Sequence, residues 1–464
     1  MTELHYLTAS ETSALLRARE ISAVEVTQAH LDRIEAVNPQ VNAIVTVTAE
    51  QALDRAAELD SGPWQGPLHG LPVAHKDLVS TRGVRTTFGS KIFADHVPTT
   101  DDLVVKRVRA AGGVMIGKTN TPEFGTGSHT VNEVFGATRN PYDLTKSAGG
   151  SSGGAAAALA SGMTPLADGS DMGGSLRNPA SFCNIVGLRP TPGRVPSKST
   201  TAAWFTLGVS GPMARTVHDL ALFLTAIAGP DPSSPLSIRE DPAVFGQELD
   251  SDVSGLRIAF SPELGGLPVD RETAGVTATA ATVLEGLGAT VEHADLNLAG
   301  ADEAFRTYRA WWYLATYGDL QGVGENVRWN VERGRELTGA DLATAEKRRT
   351  RLWHRVAAFF GTWDYLIAPV SQVPPFPVED PYVREIDGVP MPDYLTWMRS
   401  CYLISVLGVP ALSVPCGFTS DGLPVGVQII GRPWDDLGVL KLGYAFEQAT
   451  RVGWTRPPLS APGR

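Results

Sequence analysis

Two glycine-serine turns on either side of an alanine-rich run constrain this chain more than any other sequence feature. The first turn is GGSSGG at residues 149–154, AAAALA follows at 155–160, and the second turn lies in SDMGGSLRNP at 170–179. Glycine admits backbone conformations and close approaches that a Cβ prevents, whereas alanine favours helix. The pattern therefore predicts a helix between two turns, with serines of both turns in one pocket.

The segments before these two turns predict a layered α/β arrangement. LHGLPVAHKDLV at 68–79 is typical of a short buried strand, with Lys76 at its end. DLVVKRVRAA at 102–111 predicts a helix that ends at two glycines, and VMIGKTN at 114–120 predicts the next strand. A helix followed directly by a strand favours a sheet covered by helices.

Two later regions have less specific patterns. Residues 301–360 are helical in pattern, and most of their aromatic residues are expected in the core rather than around a pocket; these are Trp311, Trp312, Tyr313, Trp329 and Trp353. The eighteen residues 401–418 carry no charge, but Gly and Pro interrupt them, so we expect two short buried strands instead of a membrane span.

Charge and cysteine content narrow the function classes. The net charge of -11 disfavours nucleic acid and anionic membranes as partners. Three widely spaced cysteines support neither a disulfide framework nor a CxxC metal site. The N-terminus lacks the basic start and apolar core of a secretory signal, so we expect a cytoplasmic protein.

Two short motifs match known sites but stand in the wrong context. Residues 112–119 satisfy GxxxxGK[ST], yet a helix precedes them and strand-forming residues fill the supposed phosphate loop. Gly149, Ser151 and Gly153 satisfy GxSxG, yet a polar, turn-like segment replaces the apolar strand that precedes a nucleophile elbow. Neither a nucleotide site nor an α/β-hydrolase elbow is favoured.

Three motifs taken together resemble the amidase-signature family. They are a lysine in VAHKD, the GGSSGG turn, and a serine in DMGGS twenty-four residues after Ser151. The similarity continues through TNTPEFGTGS, FCNIVGLRPTPGRVP and GLPVGVQIIG, and covers most of the chain from about Leu15. The resemblance implies an α/β fold with a large mixed β-sheet core covered by helices on both faces (α/β/α). It also implies a single domain over 1–464, with a core at about 65–230 and 400–450 and a variable helical substrate region at about 300–400.

By the same resemblance, Ser175 is the expected nucleophile and Ser151 relays its proton to Lys76. This base must be uncharged beforehand, which requires its pKa to fall from about 10.4 to about 7, and burial can cause a change of that size. The backbone of Met172, Gly173 and Gly174 is expected to form the oxyanion hole, together with that of the nucleophile.

The family also implies details of the surrounding loops. The peptide bond from Gly150 to Ser151 is expected to be cis. Gly125, Thr126 and Gly127 are expected to border the acyl pocket and to bind substrate. No metal and no cofactor is expected in this chemistry.

The resemblance implies an amidase that hydrolyses a small acyl amide, an anilide or a carbamate through an acyl-enzyme, with esterase side activity. We expect a small-molecule substrate, and a monomer or homodimer. The alternative is the glutaminase subunit of a tRNA-dependent amidotransferase, but Ser405 replaces the usual Asn and Met172 departs from the DTGGS form. A catalytically inactive binding module is disfavoured because every relay residue is present.

Overall fold

An eleven-stranded mixed β-sheet organises residues 3–459, the part of the chain that the computed structural model describes. The helices are α1 (Ala9–Ala18), α2 (Ala23–Val41), α3 (Ala49–Ser61), α4 (Leu103–Ala110), α5 (Gly153–Ala160), α6 (Arg177–Phe182), α7 (Val217–Ile227), α8 (Arg271–Gly286), α9 (Ala301–Tyr317), α10 (Glu325–Glu336), α11 (Gly339–Phe359), α12 (Arg399–Ser405) and α13 (Asp436–Thr450). The strands are β1 (Ile44–Val47), β2 (Pro72–Lys76), β3 (Val114–Thr119), β4 (Val131–Asn132), β5 (Gly136–Ala137), β6 (Arg139–Asn140), β7 (Asp143–Ser147), β8 (Leu166–Asp171), β9 (Val186–Arg189), β10 (Val209–Ala214), β11 (Arg257–Phe260), β12 (Thr290–His293), β13 (Tyr365–Pro369), β14 (Glu385–Ile386), β15 (Val389–Pro390), β16 (Ala411–Phe418) and β17 (Pro424–Ile430). Among the helices of this described part, none is both long and apolar enough to cross a membrane.

The strand order of the large sheet brings the carboxyl ends of two motif-bearing strands, β2 and β8, to one edge. The order is β1-β3-β2-β8-β10-β9-β16-β17-β13-β11-β12. Strand β2 pairs in parallel with β3 on one side and with β8 on the other. Because the carboxyl ends of parallel strands meet at one edge, Lys76 at the end of β2 and Asp171 at the end of β8 lie near each other.

Helices cover the sheet on both faces. Successive residues of β13, Leu366 and Ile367, belong to two different apolar clusters, as do Ala411 and Leu412 of β16. Neighbouring side chains of a strand point to opposite faces, so the two clusters are the two faces of the sheet. Helices α7 and α13 contribute to one cluster, and α9 and α11 to the other. This confirms the predicted α/β/α arrangement.

The predicted alanine-rich helix is α5, and it lies inside the molecule. All of its residues are buried. A Cβ on Gly154 would overlap the backbone of Asn120, which shows how closely the start of this helix approaches its neighbours. Small side chains let α5 pack deep in the core, and the first glycine-serine turn leads directly into it. The expected direct connection from this helix to the second turn is wrong, because strand β8 lies between them.

One expected strand is wrong. The first part of the uncharged stretch 401–418 belongs to helix α12, and only the second part is a strand, β16. Every residue of 401–405 is buried, so the segment shows no polar face that could reveal a helical period. The break between helix and strand comes at Gly408, which has a φ of 75°, and at Pro410.

Candidate active site

Lys76 occupies the carboxyl end of β2 with its side chain completely buried. Its Nζ lies 2.7 Å from Ser151 Oγ, 2.9 Å from Ser152 Oγ and 3.2 Å from Ser170 Oγ. Two of these hydroxyls come from the first glycine-serine turn and one from β8. The three oxygens hold the amine in a single position facing Ser151.

The environment of Lys76 favours its neutral form. Burial lowers the pKa of this amine from 10.5 to about 7, although the carboxylates of Asp168 and Asp171 act in the opposite direction. The neighbouring Asp77 instead accepts hydrogen bonds from the backbone N–H and hydroxyl of Thr87. Adjacent strand residues point to opposite faces, so the sequence neighbour is not the acid that faces the lysine.

The first turn presents Ser151 on a backbone that only glycine allows. The peptide bond from Gly150 to Ser151 is cis, as the family resemblance predicts. Gly149 has a φ of 72°, and a Cβ on it would lie 2.7 Å from Asn178 Oδ1. A Cβ on Gly150 would lie 2.8 Å from the backbone N of His129. The turn is therefore packed tightly against two neighbouring segments.

The second turn places Ser175 beside Ser151. Both serines line one cavity, and Ser175 is 7% exposed. The carbonyl oxygen of Ser175 accepts a hydrogen bond of 3.3 Å from the N–H of Ser152, which joins the two turns directly. Within residues 3–459 the Ser175 hydroxyl donates to no side chain or carbonyl, so it is available to a molecule in the cavity.

Asp171 fixes the shape of the second turn. Its carboxylate accepts hydrogen bonds from the N–H of Gly174 at 2.8 Å and of Leu176 at 3.3 Å. Arg177 and Arg189 each lie 3.1 Å from it, with all three side chains buried. Burial raises the pKa of Asp171, but the two guanidinium groups outweigh that effect and hold it well below the usual range. Asp171 and Arg177 therefore tie the turn together.

The glycines of the second turn leave no room for side chains. Gly174 has a φ of 116°, and a Cβ on it would overlap Cys401. A Cβ on Gly173 would lie 3.0 Å from Met398 Cε and 3.2 Å from Phe305 Cζ. The N–H of Gly174 already donates to Asp171, so the backbone N–H groups of this turn that remain for a bound molecule are those of residues 172, 173 and 175.

The loop at 125–127 borders the same cavity. Gly125 and Gly127 line it, and a Cβ on Gly125 would lie 3.2 Å from Ser151 Oγ. Thr126 is not part of this lining; it lines a neighbouring cavity, and its hydroxyl forms a hydrogen bond of 2.9 Å with the hydroxyl of Tyr313.

Aromatic side chains form the outer wall of the cavity, whose volume is about 250 Å³. Trp312, Tyr313 and Tyr317 come from α9, and Phe124 and Phe205 come from loops. The sequence predicts core positions for Trp312 and Tyr313; Tyr313 is indeed buried, but both residues also line the cavity. A single face of α9 carries them there, and sequence spacing does not show which face of a helix meets a pocket.

Two further residues of this region are not indicated by the motifs. Asp168 accepts a hydrogen bond of 2.9 Å from the backbone N–H of Lys76, and it also bonds to His75 Nδ1. Arg309 lines the cavity, although it lies 134 positions after Ser175 in the chain (309 − 175). The sequence signal that could have indicated Asp168 is its place two positions before the serine-aspartate pair of SDMGGS. No sequence signal indicates Arg309.

The donor set of this region is that of acid–base and nucleophilic chemistry. Within residues 3–459, no group of three or more His, Cys, Asp or Glu side chains is arranged to hold a metal ion. Hydroxyls, a buried amine and backbone N–H groups are instead the polar atoms around the two serines.

Comparisons with known proteins agree with this arrangement. The sequence model of the Amidase family matches residues 25–440. The chain is 39% identical to an acylamidase of Rhodococcus erythropolis, over 96% of each chain. It is 41% identical to a glutamyl-tRNA(Gln) amidotransferase subunit of Moorella thermoacetica, over 98% of this chain and 99% of that protein.

A solved structure shares the fold. The crystal structure of a bacterial aryl acylamidase of the amidase signature family superposes with a TM-score of 0.92 at 30% identity, over 98% of this chain and 99% of that chain. The chain therefore belongs to the amidase signature family and is a hydrolase of amide C–N bonds other than peptide bonds.

Proposed function

We propose that this protein is an amidase that cleaves an acyl amide, an anilide or a carbamate through an acyl-enzyme on Ser175, with Ser151 and Lys76 as its proton relay. The observation that carries the proposal is the buried amine of Lys76, with a pKa of about 7, in direct contact with Ser151 Oγ. A neutral amine can accept a proton at neutral pH, and a hydroxyl between it and the nucleophile can pass that proton on.

In the first half-reaction the Ser175 oxygen attacks the carbonyl carbon. Its proton moves to Ser151, whose own proton moves to the Lys76 amine. The carbonyl oxygen becomes an oxyanion, which accepts hydrogen bonds from the backbone N–H groups of Met172 and Gly173. The N–H of Gly174, the third expected donor, is held by the carboxylate of Asp171. The C–N bond then breaks, and the leaving nitrogen receives the proton back through the same relay.

In the second half-reaction water resolves the ester on Ser175. The relay removes a proton from the attacking water, the oxyanion forms again in the same place, and the serine oxygen leaves with that proton. The acyl group of an amide or anilide is released as a carboxylic acid, and that of a carbamate as a carbonic acid monoester, which loses CO2 to leave the alcohol or phenol. Esters follow the same steps with a better leaving group, so we propose esterase side activity.

The walls of the cavity support an aromatic substrate. Phe205 and Trp312 stack with ring centres 5.8 Å apart and an angle of 19° between their planes. Flat apolar surfaces of this kind bind aromatic rings well. Together with the similarity to two acylamidases, this favours an anilide among the three substrate classes. We propose that the chain acts as a monomer or homodimer, as a single domain over 1–464.

The second candidate is a glutaminase subunit of a tRNA-dependent amidotransferase. The identity of 41% to the Moorella thermoacetica protein favours it. Against it stand the two departures from the motifs, Met172 and Ser405. Ser405 Oγ accepts a hydrogen bond of 2.7 Å from Arg177, so this serine takes part in holding the second turn.

A substrate panel separates the two candidates. The purified chain is offered 4-nitroacetanilide, acetamide, a phenyl carbamate, 4-nitrophenyl acetate and glutamine, with release of amine, phenol or ammonia as the readout. The proposal expects turnover of the anilide and the ester without any other protein present. Hydrolysis of glutamine and of no other substrate in the panel, or activity only after copurification with partner subunits, would support the amidotransferase instead.

A further inference from the structure

The guanidinium group of Arg309 is buried beside the catalytic cavity among neutral side chains. Arg309 lies on α9 and is 3% exposed. Its Nε donates to Asn330 Oδ1 at 3.1 Å, and its Nη2 donates to the hydroxyls of Tyr313 at 2.9 Å and Tyr394 at 3.1 Å. Its Nη1 makes one hydrogen-bond contact within residues 3–459, to the thioether sulfur of Met172 at 3.4 Å, and its guanidinium carbon lies 4.6 Å from the centre of the Tyr313 ring.

No carboxylate within residues 3–459 forms an ion pair with Arg309, and its neighbour on the same helix shows the contrast. Arg306, one turn earlier, lies 2.7 Å from a carboxylate oxygen of Asp393 and 3.1 Å from one of Asp302. A buried cation without a counter-charge is costly to the fold, and buried charges are normally paired. The pairing of Arg306 shows that α9 can bring a carboxylate to an arginine where the fold requires one.

The unpaired cation faces the place where substrate must lie. Arg309 lines the same cavity as Ser151 and Ser175. The one other residue with a formal charge in the cavity lining is Asp171, whose carboxylate is already paired with two arginines. The cavity therefore carries an uncompensated positive charge in a protein whose net charge is -11.

From this placement we infer that Arg309 determines substrate specificity by binding a carboxylate carried by the amide substrate. The inference rests on the proposed function, since it assigns a substrate class to that same site. A guanidinium offers planar N–H groups that match a carboxylate, and a thioether is too weak an acceptor to satisfy Nη1. A substrate carboxylate would supply both the missing acceptor and the missing charge.

Matched substrate pairs test the inference on the wild-type enzyme. The 4-nitroanilides of succinic acid and of 4-oxopentanoic acid differ in that a carboxylate replaces an acetyl group of similar shape at the end of the acyl chain. The acetanilides of 4-aminobenzoate and of 4-aminoacetophenone place the same difference on the leaving group. We expect kcat/KM to favour the carboxylate by about 10- to 100-fold in one of the two pairs.

Variants of Arg309 assign that preference to this side chain. Arg309→Met should bring the carboxylate-to-ketone ratio of kcat/KM close to one, and Arg309→Lys should retain part of it. Arg328→Met, which removes an exposed charge from the next helix, should keep the wild-type ratio. A role in packing alone would lower the rates for both members of a pair and leave their ratio unchanged.

Binding to Ser175→Ala provides a readout that does not need turnover. Calorimetric titration of this variant with the four anilides should show the same preference for one carboxylate. Equal affinities and equal kcat/KM values within both pairs would overturn the inference, even where anilide turnover supports the proposed function. A retained carboxylate preference in binding, with no turnover of any anilide, acyl amide or carbamate, would instead contradict the proposed function alone.

Discussion

The backbone N–H of Lys76 donates a 2.9 Å hydrogen bond to the carboxylate of Asp168. The same carboxylate raises the pKa of the Lys76 amine, against the larger effect of burial. One buried acid therefore both positions the strand that carries Lys76 and adjusts the pH at which its amine becomes neutral. His75, the second partner of Asp168, holds the acid in place from β2.

The pH dependence of catalysis should follow Lys76. Because its amine must be neutral, kcat/KM should rise with pH around a midpoint near the pKa of about 7. Asp168→Asn keeps an acceptor for the Lys76 N–H but removes the negative charge, so the midpoint should move about one unit or more to lower pH. Asp77→Asn serves as the control and should leave the midpoint in place. A pH–rate profile that is the same in wild type and Asp168→Asn would contradict this account.

The stability of the fold should also depend on Lys76. Its pKa is about 7 in the folded chain and 10.5 as an ordinary value, so the unfolded chain binds the proton more tightly between these pH values. Stability from this group is therefore complete above the unfolded pKa and is lost as pH falls towards 7. At about 1.4 kcal/mol for each pKa unit, the loss approaches about 5 kcal/mol.

Lys76→Met removes the loss of stability that comes from keeping this buried amine unprotonated near pH 7. The free energy of unfolding of the variant minus that of the wild type should be more positive at pH 7 than at pH 10, while amide turnover is lost. Urea denaturation of both proteins at the two pH values measures the difference. A constant difference between the two proteins across this range would show that folding does not lower the pKa of this amine.

The glycine at 174 should be essential for rate. A Cβ there would overlap Cys401, and the residue has a φ of 116°. Gly174→Ala should displace the N–H groups that face the oxyanion and lower kcat by about 100- to 1000-fold. Gly265 has a φ of 78° with open space where its Cβ would lie, so Gly265→Ala measures backbone strain alone and should keep wild-type kcat. An equal fall in kcat for the two variants would contradict a role of the turn at Gly174 in binding the oxyanion.

The aromatic wall should select for aromatic amides. Trp312→Ala removes the ring that stacks on Phe205, so kcat/KM for an anilide should fall about 10-fold while that for acetamide changes less. Steady-state kinetics on both substrates give the comparison. Trp434→Ala, which removes an exposed tryptophan, is the control for general loss of stability. A parallel fall for both amides would show that the wall does not contact the ring.

The sequence predicts those parts of the fold whose pattern is local. The end of β2 at Lys76, the helix α4 and the helix α5 with the turn before it agree with the structure, because strand length, glycine ends and alanine content are read from neighbouring residues. The strand β8 between α5 and the second turn is not predicted. The fully buried segment 401–405 resembles a strand in sequence because it has no polar face to reveal its period. Burial on all sides removes the signal that distinguishes helix from strand.

The sequence predicts only those residues of the site that lie within recognisable motifs. Lys76, Ser151 and Ser175 follow from motif order, whereas Asp168 reaches the lysine through the pairing of β2 with β8. Arg309 reaches the cavity through the packing of α9, and nothing in its own segment indicates a pocket. Contacts between distant segments depend on topology and helix rotation, which single-sequence patterns do not encode.

The most direct test of the central claim is the position of the acyl group during turnover. Wild-type enzyme is mixed with 4-nitrophenyl acetate, quenched within the first turnovers, digested and analysed by peptide mass spectrometry, with Ser175→Ala treated in parallel. The account predicts an acetyl group on Ser175 in the wild type, and neither acetylation nor amide turnover in the variant. An acetyl group on Ser151, or near-wild-type amide turnover by Ser175→Ala, would contradict it.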